Sequence, residues 1–209
     1  MTLLFNNISD NQKKKIYHIL QANTVNYIKD INIISNINKN TFIAIIEEGK
    51  VELIYNDYQG NKKILNTLEK DSIFGNLLIN ITEEITCITK ENTKVTYIDY
   101  DKITNNELIK NDYYIIFLNN LLTILEEEIR KKNERIEILT KKTTRDKLLD
   151  YFKIQSINKG SKTFDLGLSF TELANYLSID RSAMTREIKI LKDEGFIIIN
   201  KKRVTLNMM

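Results

Sequence analysis

The sequence predicts an α+β fold with a β-rich first half, a long central helix and a small C-terminal module of helices and strands. Three patterns support this: short strand-like runs from about Thr24 to Tyr100, an apolar heptad repeat after residue 110, and two short amphipathic helices near the C-terminus. With 209 residues, 42% of them hydrophobic and 28% charged, the chain is large enough to form more than one core. We divide it into residues 1–110, 111–141 and 142–209.

The first half begins with a helix signal and continues with strands. Ser9 and Gln12 have the spacing of a capping box and predict a short helix through Leu20. Turn residues then separate five runs of strand length, which predicts an antiparallel sandwich or roll. The runs are Thr41–Ile46, Lys50–Tyr55, Lys62–Leu68, Glu84–Thr89 and Lys94–Ile98. In the second run, apolar residues alternate with Glu52 and Ile54, which suits a strand with one wetter face.

A helix from about Asp112 to Thr140 is predicted to carry a dimerisation seam. Apolar residues recur in alternating steps of four and three, interrupted once by Lys132, and charged residues fill the other positions. The seam consists of Leu118, Leu122, Leu125, Ile129, Ile136 and Leu139. The helix could instead pack only on its own sheet domain. A narrow apolar stripe on so long a helix stays exposed unless a second copy covers it, so we favour a parallel homodimer.

The segment from Ser169 to Ile188 predicts a helix-turn-helix. Leu173 and Leu177 give its first helix an inward stripe, and Ser178-Ile179-Asp180 fits a tight turn in which Asp180 caps the next helix. In that second helix, Met184, Ile188 and Leu191 point inward. The residues left outward near its N-terminus, where base edges of DNA are read, are Arg181, Ser182, Thr185 and Arg186.

A basic β-hairpin is predicted to follow. Phe196–Ile199 and Val204–Leu206 suit two strands, and the tip between them contains Lys201, Lys202 and Arg203, which can lie against phosphates. Residues 141–209 carry 14 Lys and Arg against 8 Asp and Glu, whereas residues 1–140 carry 17 against 20. A basic C-terminal module on an acidic body is typical of a protein that binds nucleic acid. Helix-turn-helix and hairpin together predict a winged helix-turn-helix.

The chain from about Thr24 to Leu206 resembles the cyclic-AMP receptor / fumarate-nitrate regulator superfamily of bacterial transcription factors. The resemblance rests on the β-rich region, the turn Ile73-Phe74-Gly75, the long helix and the C-terminal pattern of Leu173, Ala174, Leu177, Arg181, Arg186, Leu191, Gly195 and Ile197. It implies a cyclic-nucleotide-binding-like β-roll that senses an effector, a dimerising helix and a palindromic DNA operator. It also implies RNA polymerase as a partner, base contacts by Arg181 and Arg186, and phosphate contacts by Ser169 and Thr171.

The effector turn departs from the members of that family that bind cyclic nucleotides. Those members have Phe-Gly-Glu, whose carboxylate holds the ribose, and an Arg-Ser pair about ten residues later that neutralises the phosphate. Here the turn is Phe74-Gly75-Asn76, and Glu83 and Glu84 stand in place of Arg-Ser. Because an acidic pair repels a phosphate, we expect an effector other than cyclic AMP.

Other cofactors are not expected. The cysteines that hold an iron–sulfur cluster in the oxygen-sensing branch are absent, since Cys87 is the one cysteine. A haem would need an axial ligand, and the one histidine, His18, fits a surface position on a helix better. Cys87 itself fits a strand core better than a redox sensor.

Two other kinds of binding protein remain open as alternatives. One is a regulator that binds DNA constitutively, and the other is a signalling module that docks a partner protein through the β-roll and long helix. An enzyme is not expected, because the sequence has no nucleophile triad, phosphate loop or metal-ligand cluster. The N-terminus lacks a signal-peptide pattern, and no run of 18 apolar residues suggests a membrane span, so we expect a cytoplasmic location.

Overall fold

The computed structural model describes residues 3–35, 41–76, 78, 81–103 and 111–207. After a 3-10 helix, Leu3–Phe5, the first part of the chain contains helix α1 and seven strands. Its elements are α1 (Asp10–Ile19), β1 (Asn23–Tyr27), β2 (Phe42–Glu48), β3 (Lys50–Asn56), β4 (Lys62–Glu69), β5 (Ile73–Phe74), β6 (Ile85–Thr89), β7 (Thr93–Asp99) and α2 (Tyr100–Ile103). The remaining elements are α3 (Asp112–Thr140), α4 (Thr144–Asn158), β8 (Thr163–Asp165), α5 (Phe170–Leu177), α6 (Arg181–Asp193), β9 (Ile197–Asn200) and β10 (Arg203–Leu206).

Contacts divide the chain into two compact units, Met1–Glu128 and Ile129–Met209. The prediction treated the long helix as a segment of its own. In the structure, the first part of α3 belongs to the first unit, where Tyr114, Phe117 and Leu121 are buried. The last part of α3 belongs to the second unit, where Ile138 is buried. Each unit therefore has its own hydrophobic core and contains one end of α3.

The first unit is built on two antiparallel sheets, with strand orders β1-β7-β2-β5 and β4-β3-β6. All five predicted runs are strands in the structure. Their facing side chains form a core that includes Phe42, Phe74 and Cys87. The expectation of a wetter face on β3 is wrong at Ile54, which is only 9% exposed and has Ile64 on β4 and Thr86 on β6 as its cross-strand neighbours.

A second core of the first unit joins its helices. Leu4 and Phe5 of the 3-10 helix and Ile16 of α1 are fully buried with Tyr114 and Phe117 of α3. The capping box predicted at the start of α1 is present. The Ser9 side chain accepts a hydrogen bond from the backbone N–H of Gln12, and the Gln12 side chain accepts one from the backbone N–H of Ser9. The side-chain amide of Asn120 also donates to the carbonyls of Leu4 and Asn6, at 3.1 and 2.8 Å. These contacts attach the N-terminal segment to α3.

The second unit packs α4, α5, α6 and a three-stranded sheet of order β8-β10-β9 around one core. Leu173 and Leu177 of α5 and Met184 and Leu191 of α6 are buried in it, as the helical spacing predicts. The turn Ser178-Ile179-Asp180 separates α5 from α6, with Ser178 in the left-handed region at φ 51°. Two helices joined by a three-residue turn and followed by a hairpin are thus present.

Candidate nucleic-acid interface

Helix α6 is fixed at its start by a side-chain cap. Asp180 Oδ1 accepts hydrogen bonds from the backbone N–H groups of Ser182 and Ala183, at 2.8 and 3.0 Å. The hydroxyl of Ser182 also donates to this carboxylate, and these bonds hold the pKa of Asp180 below its usual value. Such a cap satisfies backbone N–H groups of the first turn that have no partner within the helix. The cap and the buried face together determine which residues of α6 face solvent.

The outward face of α6 presents three cations on a shallow concave surface. Arg181, Arg186 and Lys189 are all exposed, and none of them forms a salt bridge with a residue that the structure describes. With Asp180, Ser182 and Thr185 they line a depression of about 600 Å³. Lys189 was missed by the sequence analysis, although it lies three residues beyond Arg186 and so shares its face. We call Arg181, Ser182, Thr185, Arg186 and Lys189 the α6 face.

The two hydroxyl groups of the α6 face are already engaged as donors. Ser182 Oγ donates to Asp180 Oδ1 at 2.5 Å, and Thr185 Oγ1 donates to the carbonyl oxygen of Arg181 at 2.9 Å. Their lone pairs remain available, so toward an outside partner they act as acceptors or through apolar contact. Among side chains of this face, the two arginines and Lys189 are the donors with uncommitted hydrogens.

The N-terminus of α5 is already bound by a carboxylate of the same helix, that of Glu172. Ser169 caps the helix and forms a capping box with Glu172, whose carboxylate accepts from the Ser169 N–H at 2.7 Å. That bond is the main cause of the lowered pKa of Glu172. The Ser169 side chain is half-buried and accepts from Glu172 N–H, whereas Thr171 is exposed. Of the two phosphate contacts that the resemblance implies, Thr171 is therefore the more accessible.

The predicted hairpin tip is exposed and basic. Strands β9 and β10 pair in antiparallel register from Arg203 opposite Asn200 to Leu206 opposite Ile197, and Lys201 turns the chain at φ 57°. Lys201, Lys202 and Arg203 are all exposed. Lys202 also contributes to the lowered pKa of Glu172, after the hydrogen bonds with Ser169, so its charge lies near the start of α5.

An arginine that the sequence analysis overlooked forms salt bridges with the inner side of α6 and with its C-cap. Arg145, near the start of α4, donates to Glu187 at 3.3 Å and to Glu194, and its guanidinium lies 5.1 Å from the centre of the Phe196 ring. Salt-bridge formation, first with Glu194, raises the pKa of Arg145. The neighbouring Lys147 donates to the carbonyl of Leu177 at the end of α5, at 3.2 Å. Helix α4 therefore contacts both α5 and α6 through charged side chains.

The predicted seam on α3 is partly exposed. Leu122, Ile129 and Ile136 are 57–59% exposed, whereas Leu118, Leu125 and Leu139 are half-buried. Leu118 and Leu125 pack against the helical core of the first unit, which accounts for their lower exposure. Ile115, which the sequence analysis left out, is 41% exposed and continues the seven-residue spacing toward the N-terminus. One long helix thus carries an apolar stripe at every seventh residue over three heptads.

The effector candidates taken from the resemblance occupy different environments. Phe74 is fully buried in the sandwich core, and Gly75 lies so close to β2 that a Cβ there would be 2.2 Å from the carbonyl oxygen of Phe42. Asn76 and Glu83 are exposed. Glu84 lies by the β3–β4 hairpin, where its backbone carbonyl accepts from Asn56 and its carboxylate from Tyr58. The glycine is thus explained by close packing against β2.

Cys87 has the environment of a core residue. It is fully buried on β6, and burial raises the pKa of its thiol to about 12. The nucleophilic thiolate is therefore a very small fraction at neutral pH. We expect native protein to react with a thiol-specific disulfide reagent at pH 8 at least 100-fold more slowly than protein unfolded in guanidinium, measured by absorbance. Equal rates in the two states would contradict this placement.

His18 is exposed in the last turn of α1.

Two other features are absent from the residues that the structure describes. No cluster of three or more His, Cys, Asp or Glu side chains with metal-binding geometry occurs among them. No helix in the same ranges combines the length and apolar character needed to cross a bilayer.

Comparison with solved structures identifies the fold. No protein-family model and no curated protein matches the sequence. Among solved structures, the catabolite activator protein of Thermus thermophilus matches at 18% identity and TM-score 0.52, covering 99% of this chain and 94% of that one. A CooA variant from Carboxydothermus hydrogenoformans matches at 19% identity and TM-score 0.57, with coverages of 91% and 86%. A variant of CprK in complex with OCPA matches at 16% identity and TM-score 0.60, with coverages of 92% and 88%. The predicted resemblance is confirmed at the level of architecture: the chain has the fold of the CRP/FNR-type regulators.

Proposed function

We propose that the chain is a homodimeric, sequence-specific DNA-binding transcription regulator that responds to an effector other than cyclic AMP. In this proposal its α5–α6 pair and following hairpin act as a winged helix-turn-helix. The fold shared with regulators supports this function class. The α6 face is the observation that carries it, because exposed arginines near the N-terminus of a short, capped helix have the position and charge that contact with DNA requires.

The α6 face suits the major groove of DNA. A groove about 12 Å wide admits one helix, and residues near the helix N-terminus reach the base edges. Arg181 is the first residue of α6, and Arg186 lies near enough to Asp180 to lower the pKa of that carboxyl. Each guanidinium can donate two hydrogen bonds to O6 and N7 of a guanine. We propose that these arginines read bases, while Ser182 and Thr185 contribute acceptors and apolar contacts.

A homodimer would cover the apolar stripe of α3. Burying one exposed Leu or Ile side chain contributes about 1.5–3 kcal/mol, so a parallel pair of helices meeting along Leu122, Ile129 and Ile136 gains substantially. The mixed charges on either side of the stripe are those of a two-stranded coiled coil. A two-fold dimer would bind a palindromic operator with half-site centres about 34–36 Å apart.

The choice of an effector other than cyclic AMP rests on charge and space. Glu83 and Glu84 supply negative charge where the resemblance requires a cation, and Phe74, Phe42 and Tyr97 occupy the interior of the sandwich as a ring cluster. Micromolar binding of cyclic AMP in isothermal titration would refute this part of the proposal.

We expect the hairpin tip to strengthen DNA binding without contributing to the preference for a base sequence. Replacing Lys201 with Asn and Lys202 and Arg203 with Gln removes three charges, while Asn tolerates the left-handed backbone at position 201. All duplexes should then bind more weakly, and the slope of log affinity against log salt should fall by about one per lost phosphate contact. Fluorescence anisotropy at several salt concentrations measures both. A changed base preference at unchanged salt slope would contradict the phosphate assignment.

Selection of bound sequences from random duplex DNA by the purified protein tests the function class. Enrichment of an inverted repeat supports both dimer and sequence reading. Absence of enrichment, together with no affinity for any duplex at low ionic strength, would overturn the proposal.

The exposed stripe on α3 favours one alternative, a signalling module that docks a different protein through this helix. Substituting Ala for both Arg181 and Arg186 separates the two functions. In a regulator the substitutions abolish sequence-specific binding and regulation together, whereas a docking module keeps its activity.

A further inference from the structure

Arg145 joins three parts of the second unit at one point. Its Nη1 donates to the Glu187 carboxylate at 3.3 Å, and its Nη2 donates to the Glu194 carboxylate. The same guanidinium lies 5.1 Å from the centre of the Phe196 ring. Glu187 lies within α6, Glu194 is the C-cap of α6, and Phe196 immediately precedes β9. One side chain of α4 therefore contacts α6, the end of α6 and the start of the hairpin.

Helix α4 gives this arginine a fixed base. The helix begins after Thr143, whose side chain accepts a hydrogen bond from a backbone N–H of the first turn. Leu148 and Phe152 of the same helix are fully buried in the core of the second unit. The Arg145–Glu187 pair is partly shielded from water, since the two side chains are 32% and 20% exposed. Movement of α6 against α4 therefore has to stretch or break these contacts.

The connection between α6 and β9 contains one conformationally free residue. This residue is Gly195, which has a left-handed backbone at φ 79° and no side chain that could pack. Two hydrogen bonds hold the connection in part: the backbone N–H of Phe196 donates to the Leu191 carbonyl at 2.9 Å, and the Asn207 amide donates to the Gly195 carbonyl at 3.1 Å. Arg145 contacts the residues on both sides of the glycine, and it therefore restricts the angle between the helix and the hairpin.

Base reading depends on the orientation of α6 more strongly than attraction to phosphates does. A side chain that binds a base edge must be held within about 0.5 Å and about 10–20° of its productive geometry. Attraction to the phosphate backbone acts over a longer range and carries no sequence information. Glu187 directly follows Arg186 in α6. Its contact with Arg145 therefore fixes the rotation of the helix at the level of a proposed base-reading residue.

We propose that Arg145 is a positioning residue for base reading, which holds α6 and the hairpin in the one orientation in which both contact the same duplex. The base-reading role rests on the proposed function, whereas the restraint on α6 and the hairpin does not. The restraint depends on the shape of the guanidinium, a planar fork of N–H donors that can bind two acids and pack on a ring at once. A lysine at this position keeps the charge but has a single side-chain nitrogen.

Arg145→Lys separates the bridging role from the charge. We compare the affinity for a selected operator with that for an unrelated duplex of the same length, by fluorescence anisotropy. The ratio of the two affinities should fall at least about tenfold, while the affinity for the unrelated duplex stays within about threefold. A retained ratio, or an equal loss of affinity for both duplexes, would overturn the proposal.

Lys153 provides the matched control on α4. It is exposed and forms no salt bridge with any residue that the structure describes. Lys153→Gln removes one positive charge from the helix and should keep the affinity ratio, whereas Arg145→Gln removes the same charge and should lower the ratio as Arg145→Lys does. Equal ratios in the two glutamine variants would overturn the proposal.

Glu194→Met tests the restraint from its other end and leaves Arg145 in place. Glu194 is 42% exposed, so this substitution leaves the core intact and decides the matter if Arg145→Lys proves unfolded by circular dichroism. Removing a negative charge should not weaken binding to the unrelated duplex. Loss of the restraint should nevertheless lower the affinity ratio at least about threefold. A parallel gain for both duplexes, with an unchanged ratio, would show an effect of charge alone and overturn the proposal.

Hydrogen exchange of the full chain tests the restraint without DNA. In Arg145→Lys, the amides of residues 188–197 should exchange at least about fivefold faster than in the wild type, whereas those of α5 keep their rates. Lys153→Gln should change neither set. Unchanged exchange in Arg145→Lys would overturn the restraint and the proposal with it. If exchange changes as expected but the wild type binds no duplex under any condition, the proposed function fails while the restraint stands.

Discussion

Replacing Arg186 with Ala is expected to weaken binding to a selected operator by about 1–3 kcal/mol per half-site and to relax the preference at one base pair. Arg186 is exposed, forms no salt bridge with any described residue, and lies two residues from the buried Met184 that orients the helix. Its removal should therefore subtract base contacts without changing the fold. Fluorescence anisotropy with the selected duplex and with single-base variants measures both effects.

Lys192→Ala provides the control for Arg186→Ala. Lys192 is an exposed cation in the last turn of the same helix, beyond the N-terminal region that reaches base edges. We expect the Lys192→Ala substitution to lower the affinity for all duplexes modestly and by the same factor. If Arg186→Ala behaves in the same way, with no change in base preference, Arg186 contacts phosphate and the assignment of base reading is wrong.

Replacing Ile129 with Glu is expected to dissociate the proposed dimer. Ile129 is 58% exposed in the single chain, so the change costs little within it, whereas a two-fold interface would lose two apolar side chains and place two carboxylates together. From burial alone the loss is about 3–6 kcal/mol, or roughly 10²–10⁴ in the dissociation constant. Sedimentation velocity at micromolar concentration should show a monomer with unchanged helix content by circular dichroism.

Thr123→Glu is the matched control on the same helix. Thr123 is also exposed but lies outside the seven-residue stripe, one position after Leu122. It should leave the dimer intact. A wild-type chain that is monomeric at the same concentration, or equal effects of both substitutions, would show that the stripe does not mediate self-association.

Local signals in the sequence were sufficient for most elements. The capping residues Ser9 and Asp180 each mark a helix start, and the long helix has the predicted bounds, Asp112 to Thr140. The outward position of Arg181 and Arg186 also followed from helical spacing. Such features depend on residues a few positions apart, so their physical cause is visible in the sequence.

Features that depend on distant residues were missed. Strand β1, Asn23–Tyr27, is mostly polar and exposed and becomes a strand because β7 pairs with it along its whole length. One pocket of the first unit is lined by residues as far apart in the sequence as Leu3 and Glu128, which no local pattern connects. The contacts of Arg145 span 42 and 49 residues.

Arg145 also offsets negative charge on the inner side of α6. Glu187 and Glu194 belong to the helix and cap whose other side displays Arg181, Arg186 and Lys189. Because both acids are paired with the single guanidinium of Arg145, one of their two negative charges is offset, and their repulsion of an approaching polyanion is reduced. The helix is thereby polarised across its width, with paired acids on the inner side and exposed cations on the outer.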